Sequence, residues 1–189
     1  NIDIIKKADS TSTFGWQPGR RFVPGKAEGI RLDIDPSMAR WASGYGASGT
    51  LEDWIKQTEK ARNDSYRFRF MLASAFAAPL LKLVRCRNFF VYNWAGSKGG
   101  KTASLKAALS VWGNPERLMA SFNATQVALE RMAGIFSDLP LGLDERQLAG
   151  SKQEFLEKLV YMLAEGRGRA RGSKGGELQE LKTWRSIII

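Results

Sequence analysis

The run of residues 95–102, Ala-Gly-Ser-Lys-Gly-Gly-Lys-Thr, constrains the fold of this chain more than any other feature. It follows an aromatic, strand-favouring stretch (89–92) and precedes a helix-favouring one (103–111). A strand, a glycine-rich turn, Lys-Thr and a helix, in that order, are typical of a phosphate-binding P-loop. Glycines let backbone N–H groups turn towards a phosphate, and a helix N-terminus adds positive potential. Ala95 stands where the pattern usually has glycine, and a plain surface glycine loop is the alternative interpretation.

The motif predicts a role for each of its residues. Lys101 is expected to reach the β- and γ-phosphates of ATP, and the Thr102 hydroxyl to bind Mg²⁺. The predicted nucleotide contacts are Ala95, Gly96, Ser97, Lys98, Gly99, Gly100, Lys101 and Thr102.

Composition narrows the classes of partner and chemistry. The 189 residues suffice for one sizeable domain with a core. A net charge of +10 favours a polyanionic partner, nucleic acid above all, although a basic face that only aids solubility is the alternative. One cysteine and no histidine exclude an intrachain disulfide, a Ser-His-Asp triad and His-ligated zinc. Catalysis would therefore rely on carboxylates, Lys, Arg, hydroxyls, backbone amides or a bound metal.

No segment has the pattern of a membrane span or a signal peptide. The most apolar window, residues 70–84, contains Pro79 and Lys82 and is too short to cross a bilayer. We therefore expect no membrane association and a cytoplasmic location. The non-Met start and the apolar end 187–189 indicate a piece of a longer polypeptide.

The pattern of apolar residues predicts an α/β fold, a three-layer αβα sandwich around a mostly parallel sheet. Residues 1–65 are expected to form a loop-rich and helical lead-in, and residues 66–189 the P-loop core. Thr50 is predicted to cap a helix running to about Arg62, and Asp64 or Ser65 a buried helix from 66 to about 83, kinked at Pro79. The core then alternates strands (89–93, 117–122, 139–143, 183–189) with helices (101–112, 125–136, 152–165).

A P-loop also needs a carboxylate at the end of a nearby strand to hold the metal ion. The apolar run 139–143 ends in Asp144 and Glu145. Asp144 is predicted to be the metal-side (Walker B) acid and Glu145 to activate the attacking water. A strand is expected between the P-loop strand and the strand that ends at Asp144. In this respect the chain resembles the additional-strand group of P-loop proteins, which includes RecA-like and AAA+ motors.

Several further positions keep more than one interpretation. Arg169 and Arg171, in the basic loop 166–174, would act as an arginine finger, contact nucleic-acid phosphates, or only be solvated. Asn123 and Thr125 would either approach the γ-phosphate or cap the following helix. Trp94, beside the P-loop, is the tryptophan placed to contact adenine.

From Ala73 to Ile189 the chain resembles the domain-of-unknown-function 927 family of phage- and plasmid-borne predicted P-loop ATPases. Besides the P-loop, the resemblance rests on residues 110–115, 121–125, 139–145, 161–166, 169–171 and 183–185. It implies ATP hydrolysis that drives a ring-forming DNA helicase or translocase of mobile-element replication. A nucleotide-dependent switch or a nucleic-acid-binding module without motor activity is the alternative. It also implies that a sensor residue and a last strand lie beyond Ile189.

Overall fold

A computed structural model describes residues 9–23, 29–96, 99–121, 124–144, 153–168 and 181–189. The strands are β1 (Asp9–Thr11), β2 (Gly15–Gln17), β3 (Arg21–Val23), β4 (Ile30–Leu32), β5 (Phe89–Phe90), β6 (Ala120–Ser121), β7 (Leu143–Asp144) and β8 (Ile187–Ile188). The helices are α1 (Ala39–Ala42), α2 (Leu51–Asp64), α3 (Tyr66–Ala77), α4 (Leu80–Leu83), α5 (Lys101–Leu109), α6 (Pro115–Leu118), α7 (Gln126–Phe136) and α8 (Gln153–Glu165).

Four short strands run side by side in the middle of the molecule, in the order β5, β8, β7, β6. β5 pairs with β8, and β6 pairs with β7, both in parallel. The two pairs are joined because Leu141, just before β7, forms a parallel bridge with Ile188, and the Leu143 N–H donates to the Ile189 carbonyl at 2.8 Å. All four strands therefore begin at one end of the sheet and finish at the other.

Both faces of this sheet are buried against helices. Ile187 and Ile189 lie in a hydrophobic cluster with residues of α3 and α5, whereas Ile188 lies in a second cluster with residues of α7 and α8. This division follows from strand geometry, since successive side chains point to opposite faces. The strand sequence is apolar throughout, as expected for a parallel strand covered on both sides.

The N-terminal segment packs onto the same core. β1 pairs in parallel with β4, and β2 pairs antiparallel with β3. Phe14 is 2% exposed, and its N–H donates to the Ile135 carbonyl at 2.8 Å. The indole N–H of Trp16 donates to the Pro79 carbonyl at 2.8 Å. Backbone and side-chain hydrogen bonds thus fasten this segment to α7 and to the turn before α4.

The local helix signals acted as the sequence predicted, with one difference. Thr50 caps α2 by accepting a hydrogen bond from the Asp53 N–H at 3.1 Å, and Ser65 caps α3. The prediction of one buried helix from 66 to 83 was wrong, because α3 ends at Ala77 and α4 begins after Pro79. Proline has no N–H to continue the helical ladder. Phe76 and Leu80, expected in the buried centre, are 52% and 50% exposed.

The predicted strands are shorter in the structure and one is displaced. Residues 115–118, within or beside the strand expected at 117–122, form the helical turn α6, and strand geometry occupies only Ala120–Ser121. Asn114 accepts from the Glu116 N–H at 3.0 Å, and Pro115 occupies the first turn, which together favour a helix start. The strand expected at 139–143 is Leu143–Asp144, so Asp144 belongs to the strand itself. The final strand is Ile187–Ile188 instead of 183–189.

Across the described ranges, no helix combines the length and the apolar character that a membrane crossing would require.

Candidate functional site

The loop between β5 and α5 has a conformation that requires glycine at two positions. The Gly99 N–H donates to the Gly96 carbonyl at 3.1 Å. A Cβ on Gly99 would lie 2.7 Å from the Ala95 Cβ and 2.9 Å from the Gly96 oxygen, which is closer than atoms pack. Gly100 has φ +75° at the N-cap of α5, a left-handed conformation that side chains disfavour. The loop is therefore a tight turn whose backbone leads directly into a helix N-terminus.

Lys101 lies at the first position of α5 and folds back over the loop. Its ammonium group donates to the Ala95 carbonyl at 2.6 Å and to the Gly96 carbonyl at 3.0 Å. The half-buried cation is thus held beside the amino end of the helix, where anions are favoured by the helix dipole.

Thr102 and Asp144 meet although 42 positions separate them in sequence. The Thr102 hydroxyl donates to a carboxylate oxygen of Asp144 at 3.4 Å, near the limit for a hydrogen bond. Asp144 is half-buried at the carboxyl end of β7, and Thr102 is exposed in the first turn of α5. The contact brings a hydroxyl and a carboxylate, both oxygen donors of the kind Mg²⁺ prefers, next to the glycine loop.

Among the described residues there is no group of three or more His, Cys, Asp or Glu side chains that could hold a metal ion. A divalent cation beside Asp144 would therefore need further oxygen ligands from Thr102, from water or from a bound phosphate. Such sparse protein ligation is usual for Mg²⁺ at nucleotide sites.

A cavity of about 260 Å³ separates the loop from the end of β7. Lys101 and Asp144 contribute to its lining, and Trp94, 75% exposed, forms part of its rim. Asn93, also in the lining, donates from its amide to the Ser104 hydroxyl at 3.0 Å and so ties the exit of β5 to α5. Sequence reasoning missed Asn93 and Ser104, and the signal for Asn93 was a polar residue directly after an apolar strand. A role of Trp94 towards adenine stays a prediction.

The remaining candidates divide into those that the structure describes and those outside it. Thr125 accepts from the Ala128 N–H at 3.2 Å and caps α7, which agrees with the capping alternative. The predicted positions Ser97, Lys98, Asn123, Glu145, Arg169 and Arg171 lie outside the described residues.

Taken together, these residues belong to a protein of mixed helices and short parallel strands that carries a glycine loop, a lysine and a Thr–Asp pair at the carboxyl ends of those strands. Residues 1–183 match the family model described as "Domain of unknown function (DUF927)", so the chain belongs to that family. The match includes the N-terminal segment as well as the stretch from residue 73 to residue 183. No curated protein matches the chain significantly.

Proposed function

We propose that this chain is the core of an ATP-binding and ATP-hydrolysing P-loop ATPase. The observation that carries the proposal is the contact between Thr102 and Asp144 at 3.4 Å, beside a loop that leaves no room for a side chain at Gly99. A nucleotide site needs a phosphate cradle, a cation and metal-side oxygens in one place, and under this proposal the glycine loop, Lys101 and the Thr102–Asp144 pair would supply them.

The arrangement of the strands supports the same proposal. Under it, the sheet and the helices on its two faces are the three-layer αβα sandwich of a P-loop protein. β8 lies beside β5 in the sheet, β7 lies on the other side of β8, and β6 is added beyond β7. Ligands of open parallel sheets bind at the carboxyl ends of the strands, where the glycine loop and Asp144 are found.

The residues present fit ATP and Mg²⁺. The turn at Gly99 leaves no room for a side chain, as expected where backbone N–H groups face a phosphate. Thr102 and Asp144 would hold Mg²⁺, which supplies neutralisation of phosphate charge. Lys101 would exchange its two carbonyl partners for phosphate oxygens. Glu145 is proposed to take a proton from the attacking water, and Arg169 or Arg171 to stabilise the transition state.

The biological setting is proposed from the charge of the chain. The net charge of +10 is compatible with a nucleic-acid partner. We propose work on DNA as a helicase or translocase of phage or mobile-element replication, in a cytoplasmic homo-oligomeric ring. A nucleotide-dependent switch or a nucleic-acid-binding module is the second candidate.

Thermal unfolding with and without ATP·Mg²⁺ tests nucleotide binding. A ligand present at about 100 times its Kd stabilises by about 2.7 kcal/mol, so the wild-type Tm should rise by several degrees. Lys101→Ala should abolish the rise. Lys56→Ala, which removes an exposed lysine of α2, is the matched control and should leave the rise intact. Equal shifts for all three proteins would exclude the P-loop assignment.

Phosphate release by the full-length protein, with single- and double-stranded DNA, separates the motor from the alternatives. Stimulation by DNA is expected for a helicase or translocase. Nucleotide binding without turnover on either DNA would favour the switch.

A further inference from the structure

A second cavity, of about 550 Å³, lies at the end of the sheet opposite Thr102 and Asp144. It is lined by residues just before β5 (87–88), just before β8 (183–185) and at the end of α8 (164–167), together with Ser137 and Asp138. Because the parallel strands all begin at this end, the cavity is separated from the proposed ATP site by the length of the sheet.

The wall of this cavity is preformed by partly buried hydrogen bonds. The Asn88 amide donates to the Leu163 carbonyl at 2.9 Å and accepts from the Ser186 N–H at 3.0 Å. Gly166 has φ +71°, and a Cβ there would lie 2.6 Å from the Trp184 carbonyl oxygen. These contacts join the end of α8 to the residues that lead into β5 and β8, so a ligand would not need to order the wall.

The cavity has an excess of positive charge. Four cationic and two acidic side chains line it. Lys82 pairs with Asp138 at 3.2 Å, and Arg167 pairs with Glu165 at 3.6 Å. The guanidinium groups of Arg87 and Arg185 make no hydrogen bond or ion pair with any described residue. Arg185 is half-buried, and a cation that is partly removed from water is stabilised when an anion joins it.

We propose that this cavity binds the backbone phosphates of a nucleic acid through Arg87 and Arg185. Arginine presents a planar fork of donors that fits phosphate oxygens, and phosphate contacts of this kind position a nucleic acid without reading its sequence. Trp184, the one aromatic residue among the described lining, is only 5% exposed, so the cavity offers no surface on which a base could stack.

A polymer fits this cavity better than a free anion does. Arg167 also lines the cavity, and the net charge of +10 favours a polyanion over a single small anion. The site does not depend on ATP, and its failure would leave the proposed ATPase untouched.

The test is the affinity for a labelled oligothymidine of about 20 nucleotides, measured by fluorescence anisotropy between about 50 and 200 mM salt. The double variant Arg87→Ala/Arg185→Ala should bind at least about tenfold more weakly at low salt. Its salt slope should fall by at least about 0.7, the contribution of one phosphate contact on a single strand. The Tm rise with ATP·Mg²⁺ should persist, which shows that the fold and the other site are intact.

A charge-matched control decides whether the cavity or the net charge is responsible. Arg40→Ala/Lys56→Ala removes two exposed cations that do not line the cavity and should weaken binding much less. Equal losses in the two double variants, or no loss in either, would overturn the proposal. So would calorimetric binding of inorganic phosphate that requires Arg87 and Arg185 while oligothymidine affinity is unchanged, because the site would then take a small anion.

Discussion

The two ends of the central sheet each carry an aspartate, and their surroundings differ. Asp138, at the amino end, is 1% exposed and accepts from the Trp16 N–H at 2.8 Å and from Lys82 at 3.2 Å. Asp144, at the carboxyl end, is half-buried, and the partner that the structure shows for it is Thr102 at 3.4 Å. A carboxylate that is buried and accepts from both the backbone and an ammonium group stabilises the fold. One with weak, exposed partners remains available to a ligand.

The largest effect should come from removing the buried carboxylate. Asp138→Ala leaves the Trp16 N–H without its acceptor and Lys82 with only the Trp16 carbonyl, so it should lower the free energy of unfolding by about 3 kcal/mol. Asp144→Ala should lower it by no more than about 0.5 kcal/mol. Urea denaturation measures both. Equal losses would show that the two aspartates do not differ as the geometry indicates.

Gly15 and Gly29 form a matched pair for testing how closely the amino end is packed. Both have φ +85°, but a Cβ on Gly15 would lie 2.5 Å from an oxygen of Asp138, whereas nothing lies within 4 Å of one on Gly29. Gly29→Ala should cost about 1 kcal/mol of unfolding free energy, from backbone strain alone. Gly15→Ala should cost about 2 kcal/mol or more, because it also displaces Asp138. Similar values for the two variants would mean that the contact with Asp138 yields easily.

The glycine loop at the carboxyl end allows the same kind of comparison. Gly99→Ala should cost about 1 kcal/mol in urea denaturation, because the added Cβ meets Ala95 at 2.7 Å, and should also remove the Tm rise with ATP·Mg²⁺. Gly96→Ala meets nothing within 4 Å and should leave stability within about 0.5 kcal/mol of wild type. A larger cost for Gly96→Ala would contradict the loop geometry.

The smallest effect on folding is expected from Thr102→Val. Its hydrogen bond to Asp144 is long and exposed, so the free energy of unfolding should change by less than about 0.5 kcal/mol. Under the proposed function, the difference between ATP with and without Mg²⁺ in the thermal assay should nevertheless disappear. Thr125→Val is a control that removes a helix cap instead, and it should lower stability by about 1 kcal/mol while keeping the Mg²⁺ effect.

Features set by neighbouring residues were predictable from the sequence. The caps at Thr50 and Ser65 and the start of α5 after Gly100 depend on interactions within three or four positions. The limits of the short strands were not predictable, because they depend on which residues of distant segments pair with each other. The Asn114–Pro115 start of α6 was a local signal that the strand prediction overlooked.

Some parts of the candidate site could likewise be predicted from the sequence, and others could not. The glycine loop and Asp144 could be found from motif spacing, although their contact needs the strand order β5, β8, β7. The role of Asp138 could not be found, since its partner Trp16 is 122 positions away. The positions of Arg87 and Arg185 around one cavity also depend on parallel pairing of β5 with β8, which no local pattern specifies.

The alternation of Ile187, Ile188 and Ile189 between two clusters has a consequence for insertions and deletions. Removing one residue from 181–186 would advance β8 by a single step and rotate each isoleucine to the other side of the sheet. Both clusters would then receive side chains of the wrong number and position at once. Changes of length here should therefore be tolerated in even numbers more readily than in odd ones.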